Sequence, residues 1–214
     1  MKKCIFMVLV LALFGCGDNF CIAAESTKWD YFLQPEGTKK AYEGQAKGCD
    51  SYETYSVVHD NDYGEIKITI RNKMFIGNLK IEVDTYYILD SDRNQVMEIG
   101  SWCEATQMKM SYENLPKIIL DLPLVVGKKW GYVEGDSTVV KEVTNKKKLS
   151  VPAGTYDVYV IKKTTRANDT NEKQAEYFEY WAKNVGLIAT GAYTKVWQPG
   201  WHWSSKLKSI EMPE

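Results

Sequence analysis

The chain has 214 residues, of which 44% are hydrophobic and 13% are aromatic, and this is enough apolar material for one sizeable core. A single all-β unit of roughly 100–250 residues accounts for that length. With 27 basic and 28 acidic residues the formal charge is −1, and the sequence lacks the basic stripe that nucleic-acid-binding proteins usually carry. Its one lysine run, residues 146–148, follows Thr144 and Asn145, and this composition predicts a solvated hairpin tip. Nucleic acid is therefore not an expected partner.

The first 24 residues are predicted to form a signal peptide and a tether. Lys2 and Lys3 give a positive start, and residues 4–15 form an apolar run of twelve residues. A transmembrane helix needs about 20 apolar residues, whereas a run of this length is typical of a signal-peptide core. No second long apolar run follows. We therefore expect an exported protein with a single β domain over residues 25–214.

Two cleavage sites compete. Residues 13–16 read LFGC, which resembles the bacterial lipobox, in which the cysteine becomes lipidated; Cys16 is then the lipid anchor, although Phe14 is bulkier than the usual residue. Ordinary cleavage after Ala24 is the alternative, but Asp18 would lie between the apolar core and that cut. The first route predicts a lipoprotein on the periplasmic face of a membrane such as the outer membrane. The second predicts a soluble periplasmic or secreted protein.

Export also implies an oxidising compartment, in which disulfides are stable. Cleavage after Ala24 leaves Cys49 and Cys103 as an even pair, whereas lipidation leaves Cys21 over. A Cys49–Cys103 bond would close a loop of about 54 residues and stabilise the fold by roughly 4 kcal/mol in the loop-entropy model. Two buried free thiols are the alternative, and neither cysteine has metal-type spacing around it.

Short runs of alternating β-branched and aromatic residues follow one another through the rest of the chain. The clearest spans residues 79–89, where Thr85 and five apolar or aromatic residues form one face and Lys80, Glu82 and Asp84 begin the other, the pattern of a half-buried antiparallel strand. Residues 34–50 contain several glycines and predict a loop, and residues 109–114 predict at most a helical turn. Pro123 places the run 117–126 at an edge or bulge. The other predicted strands are 26–33, 51–59, 66–71, 96–102, 129–134, 137–143, 147–151, 156–165, 175–181, 186–197 and 206–210.

The predicted fold is therefore all-β, with ten to thirteen strands and at most one short helix. One-sided alternation leaves one sheet face that must be covered. We expect a curved antiparallel meander that forms an open half-barrel or a barrel-like sheet.

Three motifs carry a resemblance to a known group. Residues 122–130 read LPLVVGKKW, residues 151–156 read VPAGTY and residues 180–187 read YWAKNVGL. Together they resemble uncharacterised bacterial exported proteins and lipoproteins, the TapB-like domains of unknown function, over roughly residues 115–210. The resemblance implies a strongly curved antiparallel sheet, similar to the half-barrels of the lipoprotein carriers LolA and LolB, and it implies no activity. The motif residues also suit structural duties, namely a turn at Pro152 and Gly154 and core packing by Trp130 and Tyr156.

Two stretches contain residue types that occur in ligand sites. Asp90, Asp92 and Asn94 match the first positions of a calcium loop, but the later positions do not fit, so a hairpin turn is predicted instead. An aromatic cluster near the C-terminus predicts either a platform for a sugar, a peptide or lipid headgroups, or a loop whose rings fold back over the sheet. Its candidate ligand-binding residues are Trp197, Trp201, His202 and Trp203.

No catalytic motif is present, and the chain has only two histidines, His59 and His202. The sequence predicts no metal site and no cofactor. It predicts an exported, non-catalytic protein of the cell envelope that acts as a scaffold or binds other envelope proteins. A carrier or sensor of an apolar ligand on the concave face of the sheet is the alternative, and a glycan-acting enzyme with carboxylates assembled in space is a less favoured one.

Overall fold

We analysed a computed structural model of the chain. It describes residues 29–46, 49–60, 66–76, 79–111, 115–194 and 201–213. Within these ranges the side chains of residues 45–46, 49–60, 66, 74–76, 79, 192–194 and 201–204 are not described. In the part of the chain that the structure describes, no helix is long and apolar enough to cross a membrane.

The described residues form thirteen strands in one antiparallel sheet. Its order is β6-β5-β4-β3-β2-β1-β13-β12-β11-β10-β9-β8, with β7 paired to the same outer edge of β5 as β6. The strands are β1 (Lys39–Ala46), β2 (Cys49–Asp60), β3 (Ile66–Ile76), β4 (Leu79–Asp90), β5 (Gln95–Cys103), β6 (Met108–Ser111), β7 (Lys117–Asp121), β8 (Lys129–Glu134), β9 (Ser137–Val151), β10 (Gly154–Ala167), β11 (Lys173–Ala182), β12 (Gly186–Thr194) and β13 (Trp201–Glu211).

The two halves of the chain are each a meander, and they join where β1 pairs with β13 in the middle of the sheet. The outer ends, β7 and β8, also come together. Trp130 Nε1 on β8 donates a hydrogen bond to the Ile118 carbonyl on β7 at 3.1 Å, and Lys117 contacts Glu134 at 2.5 Å. Side chains make these contacts across the seam, and the sheet does not close into a barrel. The predicted curved, all-β meander is confirmed.

The main core lies on the concave side of the sheet and is covered by the N-terminal plug, defined here as residues 29–34. Trp29 and Phe32 of the plug are 4% and 8% exposed. They pack among buried residues from both halves of the sheet: Ile68, Leu89, Val96, Leu120, Leu122, Leu124, Trp130, Val143, Ile161 and Trp181. The sequence predicts that one face of the sheet must be covered, and the plug covers it.

Two predicted elements at the N-terminus were wrong. Residues 29–32 form a tight turn, in which the amides of Phe32 and Leu33 both donate to the Trp29 carbonyl at 2.7 and 2.8 Å. The apolar alternation read as a strand instead places Trp29 and Phe32 in the core. The predicted loop over 34–50 contains β1, a central strand paired on both sides. The loop prediction relied on the glycines of this stretch, but pairing on both edges of β1 outweighs the weak tendency of glycine to avoid strands.

The lysine run at residues 146–148 is not a hairpin tip. It lies within β9, a single strand of fifteen residues. The signal read as a turn is a β-bulge: the pairing with β10 passes from Asn145 to Val143 and leaves Thr144 unpaired, and the Thr144 hydroxyl donates to the Val160 carbonyl at 3.2 Å. An extra residue in one strand of this kind leaves the ladder continuous on both sides.

Two other expectations concern turns and edges. Of the stretch 109–114, predicted as a possible helical turn, residues 109–111 belong to β6, and residues 112–114 lie outside the described residues. The turn between β4 and β5 is confirmed as a hairpin, since the Asp90 carboxylate accepts hydrogen bonds from the amides of Asp92 and Arg93 at 3.0 and 2.9 Å. The predicted edge position of residues 117–126 is also confirmed, because β7 pairs with β5 alone.

Candidate binding cavity

Charged and polar side chains form a second layer beside the apolar core on the concave face. In five strands a core residue has a polar or charged neighbour two positions away, and residues two apart share one face of a strand. We call these polar or charged neighbours the polar layer. The pairs are Leu89 with Tyr87, Val96 with Glu98, Val143 with Lys141, Ile161 with Lys163, and Trp181 with Glu179.

Lys141 on β9 is the most deeply buried charge of this layer, with 1% of the residue exposed. Its ammonium group donates to both carboxylate oxygens of Glu179 at 3.0 and 2.9 Å and to the Ile119 carbonyl at 3.0 Å. The Trp181 indole also donates to Glu179, at 3.1 Å. Several hydrogen bonds thus offset the loss of water around this ion pair.

A second ion-pair group lies at the seam between β7 and β8. Lys117 contacts Glu134 at 2.5 Å and Glu98 at 3.7 Å. Burial raises the pKa of Glu98, and Lys117 only partly opposes this. For Glu134, burial alone would raise the pKa, but the hydrogen bond and charge of Lys117 outweigh it, so the pKa is lowered. Lys117 therefore neutralises Glu134 more completely than Glu98.

Lys163 on β10 is placed differently. It lies directly across the β9–β10 ladder from Lys141, and its ammonium group sits over the rings of Tyr132 and Tyr177, at 5.9 and 5.6 Å from their centroids. Burial and the nearby Lys141 charge lower the pKa of Lys163. Among the described residues, Lys163 forms no ion pair and no hydrogen bond through its ammonium group.

Lys40 on β1 approaches the layer from the other side. It is 7% exposed, burial lowers its pKa to about 8, and its ammonium group donates to the Val185 carbonyl. Gly186, which follows, has φ +87°, and a Cβ atom added there would lie 3.0 Å from the Lys40 nitrogen. Glycine at position 186 therefore allows the left-handed backbone conformation and leaves room for the Lys40 side chain.

The polar layer borders a cavity of about 400 Å³. Phe32, Ile70, Ile119, Trp181 and Leu187 supply much of its apolar wall. Its charged lining consists of four lysines and three glutamates, a formal excess of one positive charge: Lys40, Lys117, Lys141, Lys163, Glu98, Glu134 and Glu179. Small-molecule sites typically have about 300–1,000 Å³ and mix apolar walls with a few polar groups. The cavity fits that description.

Two tyrosines of the lining stay protonated at any physiological pH. Burial, followed by the charge of Glu98, raises the pKa of Tyr87. Burial and the charges of Glu134, Glu179 and Glu98 raise the pKa of Tyr132. The Tyr132 phenol is therefore available to the cavity as a neutral hydrogen-bond donor, whereas the Tyr87 phenol is hydrogen-bonded to Thr85.

The aromatic residues predicted as a ligand platform are only partly described. Trp197 lies outside the described residues. Trp201, His202 and Trp203 have described backbone only, and they belong to β13, paired with Thr194, Tyr193 and Ala192 of β12. Residues 201–203 therefore continue the sheet, and the ligand-binding role of the four aromatic-cluster residues stays a prediction.

The two predictions about cysteines, lipidation and a disulfide, have different outcomes. Cys16 lies outside the described residues, so its lipidation stays a prediction. Cys103 at the end of β5 has a free thiol, and β3 and β4 lie between β5 and the start of β2, where Cys49 lies. Three strand steps separate the two backbones by roughly 14 Å, and disulfides join Cα atoms less than about 7 Å apart. The structure does not form the predicted bond.

The sequence predicts neither a metal site nor catalysis. Among the described residues, no group of three or more histidine, cysteine or acidic side chains is arranged to hold a metal ion. The absence of catalysis stays a prediction, because the arrangement of the cavity does not decide it.

Comparison with known proteins agrees with the fold. A family model described as DUF3108-like matches residues 135–197, which is less than a third of the chain. The crystal structure of a candidate lipoprotein from Parabacteroides distasonis is similar with a TM-score of 0.55 and 14% identity, and the match covers 85% of this chain and 98% of that one. A candidate exported protein with a YmcC-like fold from Bacteroides fragilis gives a TM-score of 0.48 and 10% identity over the same shares. No curated protein matches the chain.

The matched segment corresponds to β9 through β12 and contains two of the three sequence motifs, at 151–156 and 180–187. The third, at 122–130, precedes it and forms the connection between β7 and β8 at the seam. The similarity to exported proteins and lipoproteins of unknown function is thus supported in broad terms, and the TapB-like resemblance stays a prediction. The structural duties predicted for Trp130, Pro152 and Gly154 are confirmed, since Trp130 is 8% exposed and residues 152–153 form the β9–β10 turn.

Sequence reasoning missed the polar layer altogether. The signal was available in β9, where Lys141 stands between Val139 and Val143 on the apolar face of a strand. The same holds for Lys163, two positions after Ile161. A charge at an inward position of an alternating strand is costly unless it is paired, and this makes it informative about function.

Proposed function

We propose that this chain is an exported, non-catalytic protein that carries or senses a small ligand held in the cavity beside the polar layer. The observation that carries the proposal is the cavity itself. The plug and its partners pack together as the main core, and about 400 Å³ remains open next to seven charged residues. This volume is more than twice that of a 150 Å³ cavity that binds benzene.

Export is proposed from the predicted signal peptide, and the similarity in fold to a candidate lipoprotein supports it. The finer proposal is that Cys16 carries the lipid, which would hold the domain at the periplasmic face of a membrane. The mass of the purified wild-type protein should then exceed that of the chain starting at Cys16 by a lipid modification. The Cys16→Ser variant should lack this mass and leave the membrane fraction. Cleavage after Ala24 in both proteins would contradict lipid anchoring without affecting the cavity proposal.

The ligand proposal is tested by native mass spectrometry of the Cys16→Ser protein, purified without detergent and then extracted with organic solvent. We expect a discrete added mass that matches a compound in the extract. Ile70→Trp fills the cavity from β3 and should abolish the added mass. Lys73→Trp is the matched control on the same strand, because Lys73 contacts Glu82 at 3.8 Å outside the cavity lining. A bare protein with an empty extract would overturn the proposal.

A protein-binding scaffold is the second candidate, favoured by the edge of the sheet at β6. All four residues of β6 are exposed, and Met108 and Met110 are 55% and 45% exposed. An exposed edge strand presents unpaired backbone groups that another chain can pair with. Crosslinked partners lost on Met110→Lys, with the cavity ligand retained, would favour this role.

A further inference from the structure

Each charged group that lines the cavity, with one exception, has an ion-pair or hydrogen-bond partner among the described residues. Lys141 is tied to Glu179, Lys117 to Glu134 and Glu98, and Lys40 donates to the Val185 carbonyl. Lys163 alone among the described lysines of the lining has neither a carboxylate within 4 Å nor a carbonyl acceptor. Tyrosine rings on two sides are its contacts.

A second donor near Lys163 is also unused. Tyr132 is 9% exposed, lines the cavity and lies under the Lys163 ammonium group. Its hydroxyl donates to no acceptor among the described residues. Buried polar groups are almost always hydrogen-bonded, so an unsatisfied one in a folded protein calls for an explanation. Here two unsatisfied donors face the same cavity.

The nearby carboxylates do not remove the need for an acceptor. Glu179 and Glu134 are engaged by Lys141 and Lys117, and Glu98, whose pKa burial raises, contacts Lys117 at 3.7 Å. An unpaired cation that has lost water is costly to the fold, and the lining keeps a formal excess of one positive charge. A bound anion would supply both the charge and the hydrogen-bond acceptors.

We propose that the ligand of the cavity is an amphiphile whose anionic head group, a carboxylate or a phosphate, accepts hydrogen bonds from the Lys163 ammonium group and the Tyr132 hydroxyl. Its apolar body lies against Ile70, Phe32 and Leu187. This inference rests on the proposed function and adds the chemical class of the ligand. Lys163 would select the head group, while the apolar wall would bind the tail in any of the compounds compared below.

Three probes with one tail test the inference: octanoate, octyl phosphate and octan-1-ol. Each is titrated into the Cys16→Ser protein at pH 7 by isothermal calorimetry, after the protein has been stripped of bound lipid. We expect at least one of the two anions to bind about tenfold or more tightly than the alcohol, the effect of one hydrogen bond to a charged group. The stronger of the two anions distinguishes a carboxylate from a phosphate head group.

Variants locate the preference. Lys163→Gln should bring the anion and the alcohol to within about twofold of each other while leaving the alcohol's affinity unchanged. Tyr132→Phe keeps the ring and removes the donor, so it should lower the preference by less. Lys162→Gln is the control, because Lys162 is the next residue on β10 and pairs with Glu142 at 3.5 Å on the opposite face. Folding of each variant is checked by thermal melting.

The outcomes separate the two proposals. Equal binding of anions and alcohol to the wild-type protein would overturn the head-group inference and leave the cavity proposal standing. An anion preference that survives in Lys163→Gln would also overturn the inference, because another cation would then provide it. Binding of none of the three compounds, together with an empty solvent extract, would overturn both proposals.

Discussion

The concave face of the sheet contains two neighbouring layers of side chains, one apolar and one polar or charged. In the apolar layer, side chains from both halves of the sheet pack on the plug. In the polar layer, two positions along the same strands, ion pairs hold the side chains apart and a cavity remains. The first layer forms the main core of the fold, and the second borders the cavity in which we propose that a ligand binds.

Removing a large side chain from the apolar layer should have the greatest effect on stability. Trp130→Ala deletes a buried ring and its hydrogen bond to the Ile118 carbonyl, so we expect a loss of about 4–5 kcal/mol in the free energy of unfolding. Val133→Ala, on the exposed face of the same strand, should change it by less than about 0.5 kcal/mol. Urea denaturation measures both. A small loss for Trp130→Ala would show that the seam does not depend on this layer.

Breaking an ion pair of the polar layer should cost somewhat less. Glu179→Ala leaves the buried Lys141 ammonium group with only the Ile119 carbonyl, and the expected loss is about 3 kcal/mol. The double variant Lys141→Met with Glu179→Leu replaces both charges by apolar groups, and its stability should return to within about 1 kcal/mol of the wild type or exceed it. A double variant no more stable than Glu179→Ala would mean that the pair contributes to stability through more than mutual neutralisation.

The boundary between the layers depends on Gly186. A side chain at φ +87° is strained, and the added Cβ atom would crowd Lys40; Gly186→Ala should therefore cost about 1–3 kcal/mol. Gly191→Ala on the same strand is the control, since nothing lies within 4 Å of its added Cβ atom, and its effect should stay within about 0.5 kcal/mol. Equal melting temperatures for the two variants would contradict this role of Gly186.

Lys40 should make stability depend on pH. Its pKa is about 8 in the folded protein, against an ordinary 10.5. Between these values the unfolded chain binds more protons than the folded one, so the free energy of unfolding should rise with pH by up to about 1.4 kcal/mol per unit. Below pH 8 the ammonium group is charged in both states, and its burial penalty stays constant. The difference between the wild type and Lys40→Met, measured from pH 7 to pH 9.5, should show this slope, and a flat difference would refute it.

The sequence predicted those features that follow from local periodicity. The strand over 79–89, the hairpin after Asp90 and the edge position of β7 are set by alternation, turn residues and prolines that act over a few residues. Less predictable features depend on distant pairing. β1 is a strand because β13 and β2 flank it, and the bulge at Thr144 keeps β9 continuous only because β10 runs beside it.

The site was hidden for a related reason. Lys141, Lys163 and Glu179 are ordinary charged residues in the linear sequence, and only the facing strands show that they point inward together. The ligand search in the sequence favoured tryptophans, because their large rings stand out in composition. In the structure, the feature that distinguishes the cavity is a lysine without a partner, and its partners are known only once the sheet has been assembled.

The pairing of the first strand with the last has a consequence for the order of events in folding. Lys39 pairs with Glu211, so the middle of the sheet cannot form until residue 211 has been synthesised. Contacts between residues so distant in sequence slow folding. Until β1 pairs with β13, the inner edges of the two half-sheets stay unpaired. For a chain that we propose is exported, this delay would keep the sheet incomplete while the polypeptide is being delivered to the export machinery.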